Sequence, residues 1–100
     1  MSLDSFLSQE PVSIEQLKVV ARLDMIDAVN MPIGIFISRR EKWVKKRVMT
    51  EEEINNIPDV INGAVKSIEV AKKTGSRSFD LRKREWVDAG VISKGIADNI

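Results

Sequence analysis

The sequence predicts a mainly α-helical fold, a small single domain of four to five helices, with room for one short strand or hairpin around residues 33–49. Apolar residues recur at steps of three and four over long stretches, which is typical of one face of an α-helix. Two of these stretches begin with the spacing of a capping box, at Ser13/Gln16 and at Thr50/Glu53. One hundred residues are enough for a single core but leave no room for a second.

Composition indicates a globular protein without the usual catalytic residues. Apolar residues make up 43% and charged residues 31% of the chain, and the formal net charge is +1. The chain has no Cys, His or Tyr, so it lacks thiolates, imidazole ligands and the commonest general base near neutral pH. We therefore expect no enzyme activity, no cofactor and no metal site.

The ends of the chain and its longest apolar runs argue against a membrane protein. No apolar run approaches the roughly 20 residues needed to span a bilayer. Asp4 and Glu10 lie where a signal peptide would have a basic region followed by an apolar one. The sequence thus predicts a cytoplasmic protein with no membrane partner.

Residues 1–12 are predicted to form an N-terminal arm, and residues 13–100 to form the single helical domain. The arm is polar apart from a few apolar residues, and Pro11 ends it. Its larger apolar side chains could dock onto the body or onto a partner; they are Leu3, Phe6 and Leu7.

The first helix of the domain is predicted from the Ser13/Gln16 capping box to about Val29, closed by Pro32. One apolar stripe comprises Ile14, Leu17, Ala21, Met25 and Ala28. Further apolar residues point away from this stripe; they are Val19, Leu23 and Ile26. A helix that is apolar on more than one side is usually buried between elements or shared with another chain, so it hints at a homodimer.

The segment from Ile33 to Met49 has two interpretations. Ile33–Ile37 is short, apolar and rich in β-branched residues, and could be one buried strand or an apolar linker. Ser38 then has the capping-box spacing to Glu41, which favours a short helix from Ser38 that carries three apolar side chains inwards. These are Trp43, Val44 and Val48. A hairpin with its turn near residues 40–42 is the alternative.

The stretch from Thr50 to Gly75 has a helix start, an apolar stripe and a helix stop in order. Pro58 lies too deep for the first turn of a helix that starts at Thr50. We therefore expect a short helix near residues 51–56 and a second that begins at Pro58, with one kinked helix as the alternative. Gly75 is placed to end it in the left-handed conformation. Gly63 is expected to allow a close approach of another helix.

The C-terminal fifth of the chain resembles a helix-turn-helix. Ser76–Ser78 is predicted as a polar joint, with Asp80 capping a helix over residues 81–89 and Ser93 capping a final short helix to Ile100. Gly90 and Val91 fall at the turn and Ile96 where the second helix would pack inwards, whereas Trp86 replaces the motif's small residue. The resemblance implies base or phosphate contacts from that last helix, by Ser93, Lys94, Asp98 and Asn99. A simple αα-hairpin is the alternative.

Two basic segments, each with a Trp, point to a non-enzymatic module that binds nucleic acid, DNA or RNA. Clustered cations can neutralise phosphates, and an exposed Trp43 or Trp86 could stack on unpaired bases. The predicted contacts are Arg39, Arg40, Lys42, Lys45, Lys46, Arg47, Arg82, Lys83, Arg84 and Lys94. Alternatively, these charges pair within the fold or across an oligomer, and each Trp lies in the core.

A second function class is a protein-interaction or assembly module, such as a subunit of a viral or phage particle or of a regulatory complex. Its surface would be the multi-faced helix over residues 14–29 together with the arm. Asp24 and Asp27 lie on this helix and could hold a hard cation, but a solvated face or an ion pair with Arg22 or Lys18 is the simpler expectation.

Overall fold

A computed structural model describes residues 13–100, which form one mainly helical unit. The arm predicted over residues 1–12 lies outside the described residues. Four helices have at least thirteen residues and two have five, and the described residues contain no strand, which confirms the mainly α prediction. The helices are α1 (Ile14–Ala28), α2 (Ile33–Lys45), α3 (Glu51–Asn55), α4 (Pro58–Thr74), α5 (Ser76–Asp88) and α6 (Lys94–Asp98).

Side-chain caps set three of the six helix starts. Ser13 and Thr50 both form the complete predicted capping box, because each hydroxyl accepts from the backbone N–H three residues on. Ser93 caps α6 in the same way through the N–H of Ile96. Pro58 is the first residue of α4, as predicted, because its missing N–H has no helical partner at that position.

Ile33–Ile37 forms neither the strand nor the apolar linker that the sequence allowed, and the helix start predicted at Ser38 was wrong. α2 begins directly after Pro32 and runs through both positions. Phe36 and Arg40 lie one helical turn apart on this helix and both face the interior. Burying that face outweighs the weak strand preference of the isoleucines. Val44, predicted to point inwards, is exposed, while Val48 is buried.

The polar joint predicted after Gly75 is also absent from the described residues. Gly75 alone joins α4 to α5, with φ 151° and ψ 160°. That conformation is almost restricted to glycine but differs from the left-handed helical conformation that was expected. The chain therefore turns within a single residue, and Asp80 lies in the body of α5 rather than at its cap.

The end of the last long helix is confirmed at Gly90, which has φ 80°. The N–H of Gly90 donates to Val87 O and that of Val91 to Trp86 O, which is a Schellman motif. α6 then has only five residues, and Ile96, predicted to face inwards, is 47% exposed, whereas Ala97 is buried. The αα-hairpin alternative describes this end of the chain better than a helix-turn-helix.

Two helical hairpins, α1–α2 and α4–α5, pack on each other around one core. The rings of Phe36 and Trp86 meet edge to face with their centroids 5.2 Å apart. A Cβ at Gly63 would overlap a methyl group of Val29, so α4 approaches the end of α1 closely, as predicted. None of the helices in residues 13–100 combines the length and the apolar character needed to cross a membrane.

Candidate nucleic-acid interface

Arg40, one of the predicted phosphate contacts, is a buried structural residue. Only 8% of it is exposed. Its Nη1 donates to Asn55 Oδ1 at 2.8 Å and to Ala89 O at 2.6 Å, while its Nη2 lies 2.9 Å from Glu51 Oε1. The guanidinium thus joins α2 to α3 and to the end of α5. It has little capacity left for a phosphate.

Arg39 is also engaged within the fold. Its Nη1 lies 3.1 Å from Asp24 Oδ1 and 3.4 Å from Asp27 Oδ2. The other oxygen of Asp24 accepts from Trp43 Nε1 at 2.8 Å. The two aspartates therefore form ion pairs, but with Arg39 and not with Arg22 or Lys18, which were the expected partners. Lys18 lies 3.5 Å from Glu53 instead. These contacts fasten α2 against α1 and hold the half-buried indole of Trp43 in place.

The remaining cations of the first basic segment differ in their partners. Lys45 Nζ lies 3.2 Å from Glu41 Oε1 on the surface of α2. Lys42, Lys46 and Arg47 are exposed, and none of them forms an ion pair with a carboxylate of residues 13–100. These three are the cations of this segment that are available to a ligand.

Arg47 has an unusual backbone conformation for a long side chain. Its φ is 58°, in the left-handed region. Its N–H donates to Val44 O and that of Val48 donates to Trp43 O, so α2 ends in the same Schellman motif that ends α5. At the end of α5 this position is a glycine. Placing an arginine here costs about 1–2 kcal/mol of backbone energy.

The structure brings together three predicted residues of the C-terminal region. Lys83, Arg84 and Lys94 line a cleft of about 440 Å³ between α5 and α6. Asp80 and Asp98 also line it, but neither forms an ion pair with these cations in the described part of the chain. The cleft therefore presents two exposed cations, Arg84 and Lys94, with partial compensation by nearby carboxylates. Lys83 is half-buried, and its Nζ lies 4.5 Å from the centroid of the Phe79 ring.

Arg82 lies apart from this cleft although it is next to Lys83 in sequence. Its Nη1 donates to Ser67 Oγ at 2.7 Å, and it lines a different cleft together with Lys66. Trp86 is 1% exposed and cannot stack on a base, whereas Trp43 is half-buried. The predicted set thus divides into residues used by the fold and cations that remain accessible.

Sequence reasoning missed the structural role of Arg40 and the position of Lys66. Arg40 follows Phe36 by four residues, and one continuous helix from Ile33 would have placed both on the buried face. Lys66 is an isolated cation on α4, and only the packing of α4 against α5 brings it beside Arg82. No local pattern in the sequence identifies it.

Comparison with known proteins gives no family assignment. No protein-family model matches the chain, and no curated protein or solved structure matches it either. Residues 13–100 also contain no group of three or more acidic side chains placed to hold a metal ion. The geometry and charges of the described residues are therefore the basis for a functional proposal.

Proposed function

We propose that this protein binds the phosphate backbone of nucleic acid without catalysing a reaction on it. The contacts would be Lys42, Lys46, Arg47, Lys83, Arg84 and Lys94. The observation that carries the proposal is that none of these six cations pairs with a described carboxylate, whereas Arg39, Arg40 and Lys45 each do. Such cations can neutralise phosphates and release counterions, which gives affinity that depends little on base sequence.

The backbone at Arg47 supports the use of its charge. A glycine would satisfy the same Schellman motif without the steric cost of a Cβ, as Gly90 does at the end of α5. An exposed arginine in this conformation lowers the stability of the fold and places a cation where two other cations lie close in sequence. A strained backbone that carries an exposed positive charge is expected where that charge binds a ligand.

Trp43 offers a second kind of contact in the same region. Its indole is half-buried, its Nε1 is fixed by Asp24, and Lys46 Nζ lies 5.7 Å from the ring centroid. An unpaired base could stack on the accessible part of this ring while the neighbouring lysine contacts a phosphate. The proposal therefore favours single-stranded over double-stranded nucleic acid at this surface.

Titration of labelled single-stranded and double-stranded oligonucleotides at two salt concentrations tests the proposal. Wild-type binding should weaken steeply with salt, with a slope that falls when cations are removed. The triple variant Lys42→Glu, Lys46→Glu, Arg47→Glu should weaken binding by more than about tenfold, since each contact contributes electrostatically. Its circular dichroism should stay unchanged because the three side chains are exposed.

A second triple variant serves as the matched control. Arg22→Glu, Lys73→Glu, Arg77→Glu changes the net charge by the same amount at exposed positions outside the proposed surface. It should retain most of the binding. Equal loss of affinity in both variants would show that only the overall charge matters, and absence of wild-type binding at low salt would refute the proposal.

A protein-interaction or assembly role is the second candidate, and the outer face of α1 favours it. Val19 and Leu23 lie one helical turn apart and are 58% and 63% exposed. If this face binds a second copy, Leu23→Glu should lower the number of chains per particle in solution without unfolding the chain. Sedimentation of the wild type, of this variant and of a chain without residues 1–12 measures that number, and one chain per particle in the wild type would count against self-association through this face.

A further inference from the structure

A cleft separates the α1–α2 connection from the α4–α5 hairpin. Its volume is about 380 Å³. The α1–α2 connection contributes Met31 and Pro32 to its lining, and the α4–α5 hairpin contributes Lys66, Ser67, Val70 and Arg82. The cleft thus combines two cations with apolar side chains from both of its sides.

The charge of this cleft is one-sided. Its described lining contains two cations and no carboxylate. Three further clefts contain cations together with carboxylates: Glu51 and Glu53 in one, Glu41 and Glu51 in another, Asp80 and Asp98 in the third. Neither Lys66 nor Arg82 forms an ion pair with an acidic side chain of residues 13–100. An anion in this cleft would meet attraction without a competing side chain.

The fold holds Arg82 in position for such an anion. Its Nη1 donates to Ser67 Oγ at 2.7 Å, which fixes one end of the planar guanidinium. A guanidinium has five N–H donors, and this contact uses one of them. Lys66 adjoins Ser67 on α4 and lies one helical turn from the exposed Val70, so a cation and an apolar side chain share that edge.

Helix dipoles do not decide the charge of the cleft. The C-terminus of α1 and the N-cap of α2, Pro32, both reach its rim, so the negative end of one helix lies near the positive end of another. Asn30 Nδ2 donates to Ile26 O and satisfies one of the free carbonyls of α1. The two opposed dipoles largely compensate each other, and the side chains of Lys66 and Arg82 determine the net attraction.

We propose that this cleft binds a small oxyanion that carries a short apolar group. The carboxylate or phosphate would be held by Lys66 and Arg82, and the apolar group would lie against Met31, Pro32 and Val70. The volume is at the lower end of the range for small-molecule sites, which suits a short chain rather than a large ring system. The site is separate from the proposed nucleic-acid contacts and does not depend on them.

Calorimetric titration with hexanoate and hexyl phosphate tests the site directly. At least one of the two should bind, and hexanol, which lacks the charge, should bind much more weakly. Lys66→Gln and Arg82→Gln should each weaken binding by about tenfold, since each removes a charged hydrogen-bond donor. Lys73→Gln, an exposed lysine of the same helix outside the cleft, should leave affinity unchanged.

Val70→Asn tests the apolar half of the site. Val70 is 62% exposed, so the change should not disturb the fold. It should weaken the binding of the six-carbon probe and leave that of inorganic phosphate unchanged. Tighter binding of hexanoate would identify a carboxylate ligand, and tighter binding of hexyl phosphate would identify a phosphate ligand. Either result supports the proposal.

Three results would overturn the proposal. They are no binding of either probe at about 10 mM, unchanged affinity in both cation variants, and binding of hexanol as tight as that of the charged probes. Lys66→Gln should not alter oligonucleotide binding, because Lys66 is outside the proposed nucleic-acid surface. Failure of anion binding in this cleft can therefore be distinguished from failure of nucleic-acid binding.

Discussion

Arg40 shows how one charged residue can serve packing rather than recognition. The carbonyl of Ala89 lies just beyond the last turn of α5, where no further helical N–H can reach it. Arg40 donates to that carbonyl and to Asn55 and forms an ion pair with Glu51, while its guanidinium lies over the ring of Phe36. Its charge is favourable at a helix C-terminus. Its removal would leave Asn55 Oδ1 without this donor and Ala89 O with only the 3.4 Å hydrogen bond from Asn55 Nδ2.

Replacing Arg40 by Met should therefore destabilise the protein strongly. We expect a loss of about 2–4 kcal/mol in the free energy of unfolding, measured by urea denaturation. Arg40→Lys should recover only part of this, because an ammonium cannot bind three acceptors in the geometry of a guanidinium.

Lys45→Met is the control for Arg40→Met. It removes an exposed ion pair with Glu41 four residues away on the same helix, and should cost no more than about 0.5 kcal/mol. Similar losses in the two methionine variants would mean that the contacts of Arg40 contribute little to stability.

The sequence could not distinguish Arg40 from the other cations of its segment. A helix predicted to begin at Ser38 separated Arg40 from Phe36, so the buried face of α2 was not visible. The residue type shows that Arg40 is charged, but it does not show whether Arg40 lies on the surface or in the interior. Burial of Arg40 depends on α3 and α5 meeting α2, and Ala89 lies 49 residues further along the chain.

At the scale of elements, α1 and α3 begin with the same capping box but with different chemistry. In α1 the Gln16 amide accepts from the Ser13 N–H at 3.3 Å, and in α3 the Glu53 carboxylate accepts from the Thr50 N–H at 3.1 Å. This backbone hydrogen bond lowers the pKa of Glu53 from its usual 4.5, and nearby Lys18 lowers it further. Of these two capping boxes, only that of α3 contains a group that loses its charge in acid.

The cap of α3 should lose its contribution to stability in mild acid. A carboxyl group whose pKa is lowered on folding stabilises the fold above its unfolded pKa, and the contribution disappears as the pH falls through the folded pKa. Glu53→Gln should keep a capping box and give a shallower loss of stability below about pH 4.5. Urea denaturation between neutral and acidic pH measures this, with Glu52→Gln as the control.

Glu52 is suited to that role because it is exposed in the same turn and forms no ion pair with a cation of residues 13–100. An acid dependence that is the same in Glu53→Gln as in the wild type would contradict the role assigned to the cap.

The contact between α1 and α4 depends on Gly63. A helix interior normally favours Ala over Gly by about 1 kcal/mol. Here a Cβ would overlap the side chain of Val29, which is buried and cannot move aside freely. Close packing therefore outweighs helix propensity at this position.

Gly63→Ala should consequently destabilise the protein by about 1–3 kcal/mol despite its better propensity. Gly34→Ala is the matched control, because a Cβ at Gly34 has no described atom within 4 Å and lies in an exposed part of α2. That change should be neutral or stabilise by up to about 1 kcal/mol. Thermal or urea unfolding of the two variants gives the comparison, and a stabilised Gly63→Ala would disprove the close contact.

Local signals in the sequence predicted four of the six helix starts but also gave two false ones. The capping signals at Ser38 and Asp80 lie inside α2 and α5. The caps at Ser13, Thr50 and Ser93 and the proline start at Pro58 act over three or four residues, so a single segment contains all the information needed. The segment from Ile33 to Ile37 contains no such signal. Its helical state is decided by packing of Phe36 on Trp86, which is fifty residues away.

At the scale of the whole molecule, the two hairpins are joined through a few specific contacts. Phe36 packs on Trp86, Arg40 binds Ala89 O, and α4 closes on Val29 through Gly63. The accessible cations of the proposed surface lie at the end of α2, on α5 and at the start of α6. The sequence could list the cations, but Asp24 lies fifteen residues from Arg39, so which charges pair could only follow from the fold.

The shared core predicts that the two hairpins unfold together, as the single domain predicted over residues 13–100 requires. Trp43 belongs to the α1–α2 hairpin and Trp86 to the α4–α5 hairpin, so each reports on one of them. The variant Trp43→Phe retains the fluorescence of Trp86, and Trp86→Phe retains that of Trp43. In each variant the fluorescence should change at the same urea concentration as the circular dichroism of the helices. Trp86→Phe should lower the midpoint itself, because it removes volume from the core, but should not separate the two signals. A hairpin that unfolded on its own would give two midpoints in one of these variants, and the contacts between Phe36, Arg40 and α5 would then be too weak to unite the domain.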